Sequence, residues 1–299
     1  MILLAVDLGG TRMRAALVAD DGRIVERRDR PTPRERSCAG ALLELAGGVV
    51  EGSGVREAVI GVPGRVDYGA GRMEHAPNLP AHWAPELTEG HLSSALGLRV
   101  ALANDADLAA VGEFRFGAGA DARDVVYLTI STGVGAGVIL GGRLVRGRRS
   151  LAEAGHTIID RSSLKRGEPA TFEDQASGTA LARLGRAVGI DDGAAAVLEA
   201  TVAGDASAAR VWNQVVEAAA VGATNLAHLF SPEVIVVGGG VANAGALLLD
   251  PIRRHLDEHG PSSLPSPIRV VGARLGDDAA LAGAPAWREI ALGEVGARA

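Results

Sequence analysis

Between Leu102 and His156 three groups of residues have the types one reaction needs. An acid, Asp105, follows Asn104 at the end of an apolar run over 98–103. A glycine-rich turn, Ser131-Thr132-Gly133-Val134-Gly135-Ala136-Gly137, follows a second apolar run. Glu153 and His156 stand three residues apart in Glu153-Ala154-Gly155-His156. A carboxylate that takes a proton, amides that cradle phosphate and a Glu/His pair that clamps vicinal hydroxyls are the parts of phosphoryl transfer to an alcohol. Each also has a plainer explanation. Asn104 or Asp105 could simply cap a helix beginning near Ala106, and Glu153 with His156 could be a surface pair.

The elements that must position these groups follow from hydrophobic patterning. Residues 2–6 form a strand that ends in Asp7 and the turn Gly9-Gly10-Thr11. Strands over 15–19 and 23–26 follow, joined by Asp20-Asp21-Gly22. Glycines at 9 and 10 let backbone N–H groups approach phosphate oxygens, and Thr11 adds a hydroxyl, although a plain hairpin turn accounts for the same residues. Asp7 is either an acid near Mg²⁺ or its waters, or a polar strand terminus. A helix is predicted over 36–50, a buried strand over 58–62 running into Pro63-Gly64, and a loop carrying Asn78-Leu79-Pro80 and Trp83. A helix over 90–96, a strand over 98–103 and a helix over 106–116 complete this half.

The pattern strand, glycine turn, strand, tight turn, strand then recurs over 125–145, so a duplicated α/β architecture with a cleft between its halves is expected. Segment 161–169 is polar and unpatterned, and Glu173 precedes a helix that begins near Ser177-Gly178. Helices over 193–203 and 206–229, a strand entering Gly238-Gly239-Gly240, a helix over 245–258, a strand over 268–272 and a final helix over 278–292 follow. Asn243 breaks a G-x-G-x-x-G fingerprint, and no Gly-Lys-Ser/Thr follows the turn at Gly133, so neither a dinucleotide loop nor a Walker A loop is present. Three glycine turns at strand ends suit a nucleotide contacted by backbone.

Composition narrows the class. The 299 residues are 47% hydrophobic and 22% charged, a soluble globular balance, and aromatics at 3% leave the core to Ala, Val, Leu and Ile. A net charge of −6 argues against a general nucleic-acid binder. Arg143, Arg146, Arg148 and Arg149 form a local basic cluster, either a solvated hairpin surface or an attraction for an anionic substrate. The one cysteine, Cys38, permits neither an internal disulfide nor a cysteine-based metal cluster, which suits a reducing cytoplasm. No apolar run reaches the ~18 residues of a membrane span, and no basic leader precedes Ile2, so neither a membrane partner nor export is expected.

These pieces in this order resemble the ROK family (repressors, open reading frames and sugar kinases) of the actin-like ATPase superfamily. The resemblance covers essentially the whole chain. It rests on Asp7-Leu8-Gly9-Gly10-Thr11, Gly61-Val62-Pro63-Gly64, Pro77-Asn78-Leu79-Pro80, Asn104-Asp105-Ala106-Asp107, the 131–137 turn, Glu153-Ala154-Gly155-His156, Glu173, Gly238-Gly239-Gly240 and Leu275-Gly276-Asp277-Asp278-Ala279. It implies an α/β two-domain actin-like/hexokinase (ribonuclease H-like) fold, with a small domain over 1–116 plus about 284–299 and a large domain over 117–283. It implies Asp105 as general base on a sugar 6-hydroxyl. Gly64, Asn78, Asn104, Glu153, His156 and Glu173 would bind the sugar. Asp7, Gly9, Gly10, Thr11, Arg12, Thr132, Gly133, Gly238 and Gly239 would line the ATP site, with Mg²⁺ held mainly by ATP near Asp7. Domain closure would exclude water.

The expected function is therefore ATP-dependent phosphorylation of a hexose, glucose first, by a cytoplasmic homodimer. An amino-sugar or N-acetylhexosamine kinase is the near alternative, and a non-catalytic sugar sensor a more distant one. A sugar-responsive repressor would need a helix-turn-helix segment ahead of the first strand, which begins here at residue 2. One departure stands out. Most members follow Gly-His with a Cys-x-Cys-Gly-x-x-Gly-Cys run that completes a structural zinc site, and residues 157–172 contain no cysteine. No zinc is expected. The loop carrying Glu173 must then be held by packing or by bound sugar.

Overall fold

The structure, a computed structural model, describes residues 2–76, 79–147 and 153–292. By their internal contacts they divide into two compact units. One comprises Met1–Asp121, Gly141–Leu151 and Asp277–Ala299, the other Ala122–Leu140 and Ala152–Gly276.

The first unit opens with β1 (Ile2–Leu8), β2 (Arg12–Ala19) and β3 (Ile24–Pro31), followed by α1 (Cys38–Val50) and β4 (Glu57–Val62). Next come β5 (Arg65–Asp67), β6 (Arg72–His75), α2 (Glu89–Leu96), β7 (Arg99–Asn104) and α3 (Asp105–Phe116). The sheet order is β3-β2-β1-β4-β7, antiparallel through β1–β3 and parallel from β1 to β7. The parallel strands are covered on both faces, hence the unbroken apolar runs Leu4–Val6 and Ala58–Ile60. β3, at the edge, carries Glu26, Arg27, Arg28, Asp29 and Arg30, charges that discourage pairing with another chain.

The stretch after Gly64, for which the sequence yields no pattern, forms the small β5–β6 hairpin, and the loop expected around Trp83 differs from the structure. Trp83 is fully buried in a single helical turn, Ala81–Trp83, and donates its Nε1 hydrogen to the Arg36 carbonyl at 2.6 Å. With few aromatics in the chain, this indole is the one tryptophan, among the described residues, of the buried core that also contains residues of α1 and the sheet.

The second sheet uses β8 (Val125–Ile130), β9 (Val134–Leu140) and β10 (Arg143–Leu144). The helices α4 (Arg161–Arg166), α5 (Phe172–Ala176), α6 (Gly178–Arg186), α7 (Gly193–Val202) and α8 (Ala206–Phe230) follow. β11 (Val234–Gly238), α9 (Ala246–His259) and β12 (Arg269–Gly272) complete the series. Its order, β10-β9-β8-β11-β12, repeats that of the first sheet, again antiparallel on one side and parallel on the other. The duplication read from the glycine turns is thus a duplication of sheet topology.

Segment 161–169 is not featureless. Asp160 caps α4, accepting from the Ser162 and Ser163 amides at 2.8 and 3.0 Å. The helix expected near Ser177-Gly178 is α6, capped by Ser177, and Glu173 ahead of it lies in the first turn of a further short helix, α5, which the Thr171/Asp174 capping box initiates.

At the chain's end the single helix expected over 278–292 is three pieces: α10 (Ala279–Gly283), a tight turn Ala284–Ala286 around Pro285, and a wide turn Arg288–Leu292. Proline removes a helical donor and forces the break. α10 packs on α3 through Gly112 and Gly283. A Cβ on Gly112 would strike the Ala279 carbonyl, and one on Gly283 the Leu108 carbonyl, so the two backbones meet without side chains between them.

Candidate active site

On the first unit, candidate residues gather at the carboxyl ends of the parallel strands, where open α/β sheets bind ligands. Register places Asp7 beside Gly61 and Val62 beside Asn104. Asn104 is the N-cap of α3: its Oδ1 accepts from the Asp107 amide at 3.0 Å, and its Nδ2 donates to the Gly64 carbonyl at 2.9 Å. Of the two capping candidates Asn104 does the capping. Asp105 occupies the first helical turn, its Oδ1 accepting from the Ala106 amide at 2.8 Å. Gly64 holds a φ of +80°, and a Cβ there would collide with the His75 carbonyl.

The electrostatics of this edge are unusual. Burial, followed by the nearby charge of Asp7, pushes the Asp105 carboxyl up to about 7, against the pull of the Ala106 amide. Burial also raises Asp7, opposed by Arg14, whose Nη1 donates to Asp7 Oδ2 at 2.8 Å. Arg14 reaches Asp277 as well, at 3.1 Å. Arg14 was not a sequence candidate, yet it sits three residues past Thr11 at the β2 position paired with Asp7.

The Gly9–Arg12 turn closes through the Gly9 amide to the Arg12 carbonyl at 2.9 Å. Thr32 and Arg34 brace it. Thr32 Oγ1 donates to the Gly9 carbonyl at 2.6 Å, the Thr32 amide to the Thr11 carbonyl at 3.0 Å, and Arg34 Nη2 to the Gly10 carbonyl at 3.1 Å. Arg12 projects outward beside Asp29, 3.9 Å away. Asn78, and Arg148 and Arg149 of the basic cluster, lie outside the described residues.

On the second unit, Thr132-Gly133, Glu153–His156 and Glu173 form one cluster. The Ser131 amide donates to the Gly133 carbonyl at 2.8 Å. From α6, the Gly178 amide bonds the Ser131 carbonyl at 2.6 Å and Thr179 Oγ1 the Thr132 carbonyl at 2.7 Å. Glu173 Oε2 accepts from the Val134 amide at 2.8 Å, and the missing side chain of Gly133 leaves room for that carboxylate. Gly155 packs on the Val134 carbonyl and Glu173 Cβ. His156 Nε2 lies 3.4 Å from Glu153 Oε2, with the imidazole largely exposed. Gly239, at φ +87°, sits against the Ile130 carbonyl, and Gly240 beside the Ser131 hydroxyl, so the triple glycine adjoins the 131–133 turn. A predicted sugar ligand, Glu173, therefore touches a predicted phosphate turn.

The strap between them is held by its own backbone and by packing. Its residues 157–172 offer hydroxyls, amides and carboxylates but no thiolate, and Cys38 is buried on α1, so a Cys₃His zinc has no donor set. Backbone pairing takes over: Ile159 and Asp160 amides donate to the Ala170 carbonyl at 3.0 and 3.2 Å, and the Phe172 amide to the Thr157 carbonyl at 2.8 Å. The buried Phe172 ring then packs directly on Gly222 of α8, where a Cβ would collide with it.

Paired sheets of this order, each with glycine turns at its strand ends, define an α/β fold of the actin/hexokinase type. Residues 3–290 match the model of the ROK family, and the chain belongs to that family. A glucokinase of Thermotoga maritima is 33% identical over 303 residues, spanning 94% of this chain and 95% of its own. The bifunctional enzyme NanE/NanK of Brucella melitensis is 38% identical over 293 residues, 94% of this chain and 52% of that protein. Among solved structures, a ROK family glucokinase from Streptomyces griseus in complex with glucose and AMPPNP superimposes with a TM-score of 0.81 at 33% identity, covering 95% of this chain and 97% of its own.

Proposed function

We propose that this sugar kinase transfers the γ-phosphoryl group of ATP to the 6-hydroxyl of a hexose, glucose first, with Asp105 as the general base. One observation carries the reading. Asp105 stands at the carboxyl edge of a parallel sheet with a proton affinity near neutrality, where a base both exists ionised and accepts a proton readily. The carboxylate takes the hydroxyl proton as the oxygen bonds to the γ-phosphorus and the bridging P–O bond to ADP breaks. Asn104 keeps one amide hydrogen and one lone pair beyond its two intramolecular bonds, enough to hold a sugar hydroxyl. Glu153, His156 and Glu173 bind further hydroxyls. Thr11, Thr132 and the glycine turns at 9–10, 132–133 and 238–239 serve the nucleotide through backbone and hydroxyl donors. Mg²⁺ travels with ATP.

A cytoplasmic homodimer is part of the same proposal, supported by the family resemblance and by the single buried cysteine. A second reading, an N-acetylhexosamine kinase, is favoured by the 38% identity to NanE/NanK. A coupled ADP-release assay with Mg-ATP separates the two. The panel is glucose, mannose, glucosamine, N-acetylglucosamine and N-acetylmannosamine. Preference for glucose supports the first reading and preference for an N-acetylated sugar the second. ADP release with none of them removes both.

A further inference from the structure

Asp107 is a carboxylate with no part in the proposed chemistry, yet it is only 1% exposed. Burying a charge is costly unless hydrogen bonds compensate. Here they come from a closed ring of contacts. Tyr68 Oη donates to Asp107 Oδ2 at 2.6 Å and accepts from the Asn104 amide at 3.1 Å. The Asp107 amide returns a bond to Asn104 Oδ1, and Asn104 Nδ2 reaches the Gly64 carbonyl. The phenol has two further neighbours. Its ring lies 5.6 Å from that of Trp287, and the Arg146 guanidinium stands 5.5 Å from its centre.

We propose that Tyr68 and Asp107 are positioning residues for the phosphoryl transfer: they lock the end of β7 to the first turn of α3 and so fix the backbone from which Asp105 projects. This rests on Asp105 being the base. A merely structural bond from Tyr68 would be served equally by an asparagine at 107, since its amide oxygen also accepts. The negative charge is what an aspartate adds. Facing Asp105 are Asp7 from β1, itself paired with Arg14 of β2, and Asp107 from its own helix. Two like charges keep the Asp105 carboxylate a better proton acceptor than burial alone would.

Two conservative substitutions separate the functions. Y68F keeps the ring and its contacts with Trp287 and Arg146 but deletes both hydrogen bonds. D107N keeps the shape and the acceptor for Tyr68 but deletes the charge. Y68F should lose about tenfold in kcat with KM for ATP unchanged, because misplacing a reacting group costs the chemical step. D107N should move the acid limb of the kcat/KM profile for the hexose down by about half a pH unit or more, because a like charge has gone. Circular dichroism and Tm show whether each variant is folded. If Y68F does not fold, the D107N profile decides.

A folded Y68F with kcat within twofold of the parent, or a D107N profile that coincides with the parent's, overturns the proposal. D105N measured alongside keeps the two claims apart. If D105N retains turnover the base is elsewhere. If D105N is inert while Y68F and D107N behave as the parent, the base stands and the positioning pair falls.

Discussion

Asp105 is held between two opposing demands. A base must be ionised to act, yet a carboxylate of ordinary acidity would hold a proton too weakly to draw one from an alcohol. Burial and the Asp7 charge bring it to about 7. Asp105→Asn should therefore leave the fold intact and cost turnover about a thousandfold or more, measured by ADP release at saturating ATP and sugar. Wild-type kcat/KM for the hexose should fall below about pH 7, following protonation of the same group. The stability consequence has the opposite direction. Because the folded carboxyl is raised, its stabilisation is complete below the unfolded value near 4 and is lost as pH rises through 7. Asp105→Asn should accordingly raise Tm more at pH 8 than at pH 5, and equal gains at both would show that the carboxyl is not perturbed by burial.

Among the elements, α3 and the Thr157–Phe172 strap bear most on the site. α3 is seated by glycine-to-glycine contact with α10, where a side chain has nowhere to go. Gly283→Val should destabilise by about 1–3 kcal/mol through overpacking, read as a lowered urea midpoint at unchanged slope. The strap is held by pairing, by the Asp160 cap and by Phe172. Asp160→Ala should cost about 1 kcal/mol, the usual loss for a cap. At the turn above it, Gly133→Ala should push Glu173 off the Val134 amide and raise KM for the sugar while leaving KM for ATP less changed. An equal rise in both constants would place Glu173 with the nucleotide instead.

For the whole molecule, topology repeats where sequence repeats only loosely. Both sheets share one strand order, with an antiparallel neighbour on one side of the central strand and parallel neighbours on the other, and both set glycine turns at their strand ends. A strap without the thiolates of a Cys₃His site should be indifferent to chelation: EDTA in the absence of nucleotide should leave Tm unchanged, and a drop of several degrees would reveal a metal that the donor set does not explain.

The strands and longer helices, the three glycine turns and the acid after β7 were legible in the sequence because each is a local matter. Apolar periodicity, turn chemistry and capping residues act over a few positions. Where local signals were weak the sequence misled. A capped turn of polar residues looked like loop at 161–166, a buried indole looked like loop at 83, and Pro285 broke a helix that its apolar residues favoured. The site shows the same division. The residue types of Asp105, Glu153, His156 and Glu173 follow from sequence. Which of Asn104 and Asp105 caps α3, that Glu173 meets Gly133, and that the charges of Asp7 and Asp107, bonded to Arg14 and Tyr68, act on the base were decided by tertiary structure alone. Proton affinity and side-chain placement depend on burial and on charges far away along the chain, and only folding brings those together.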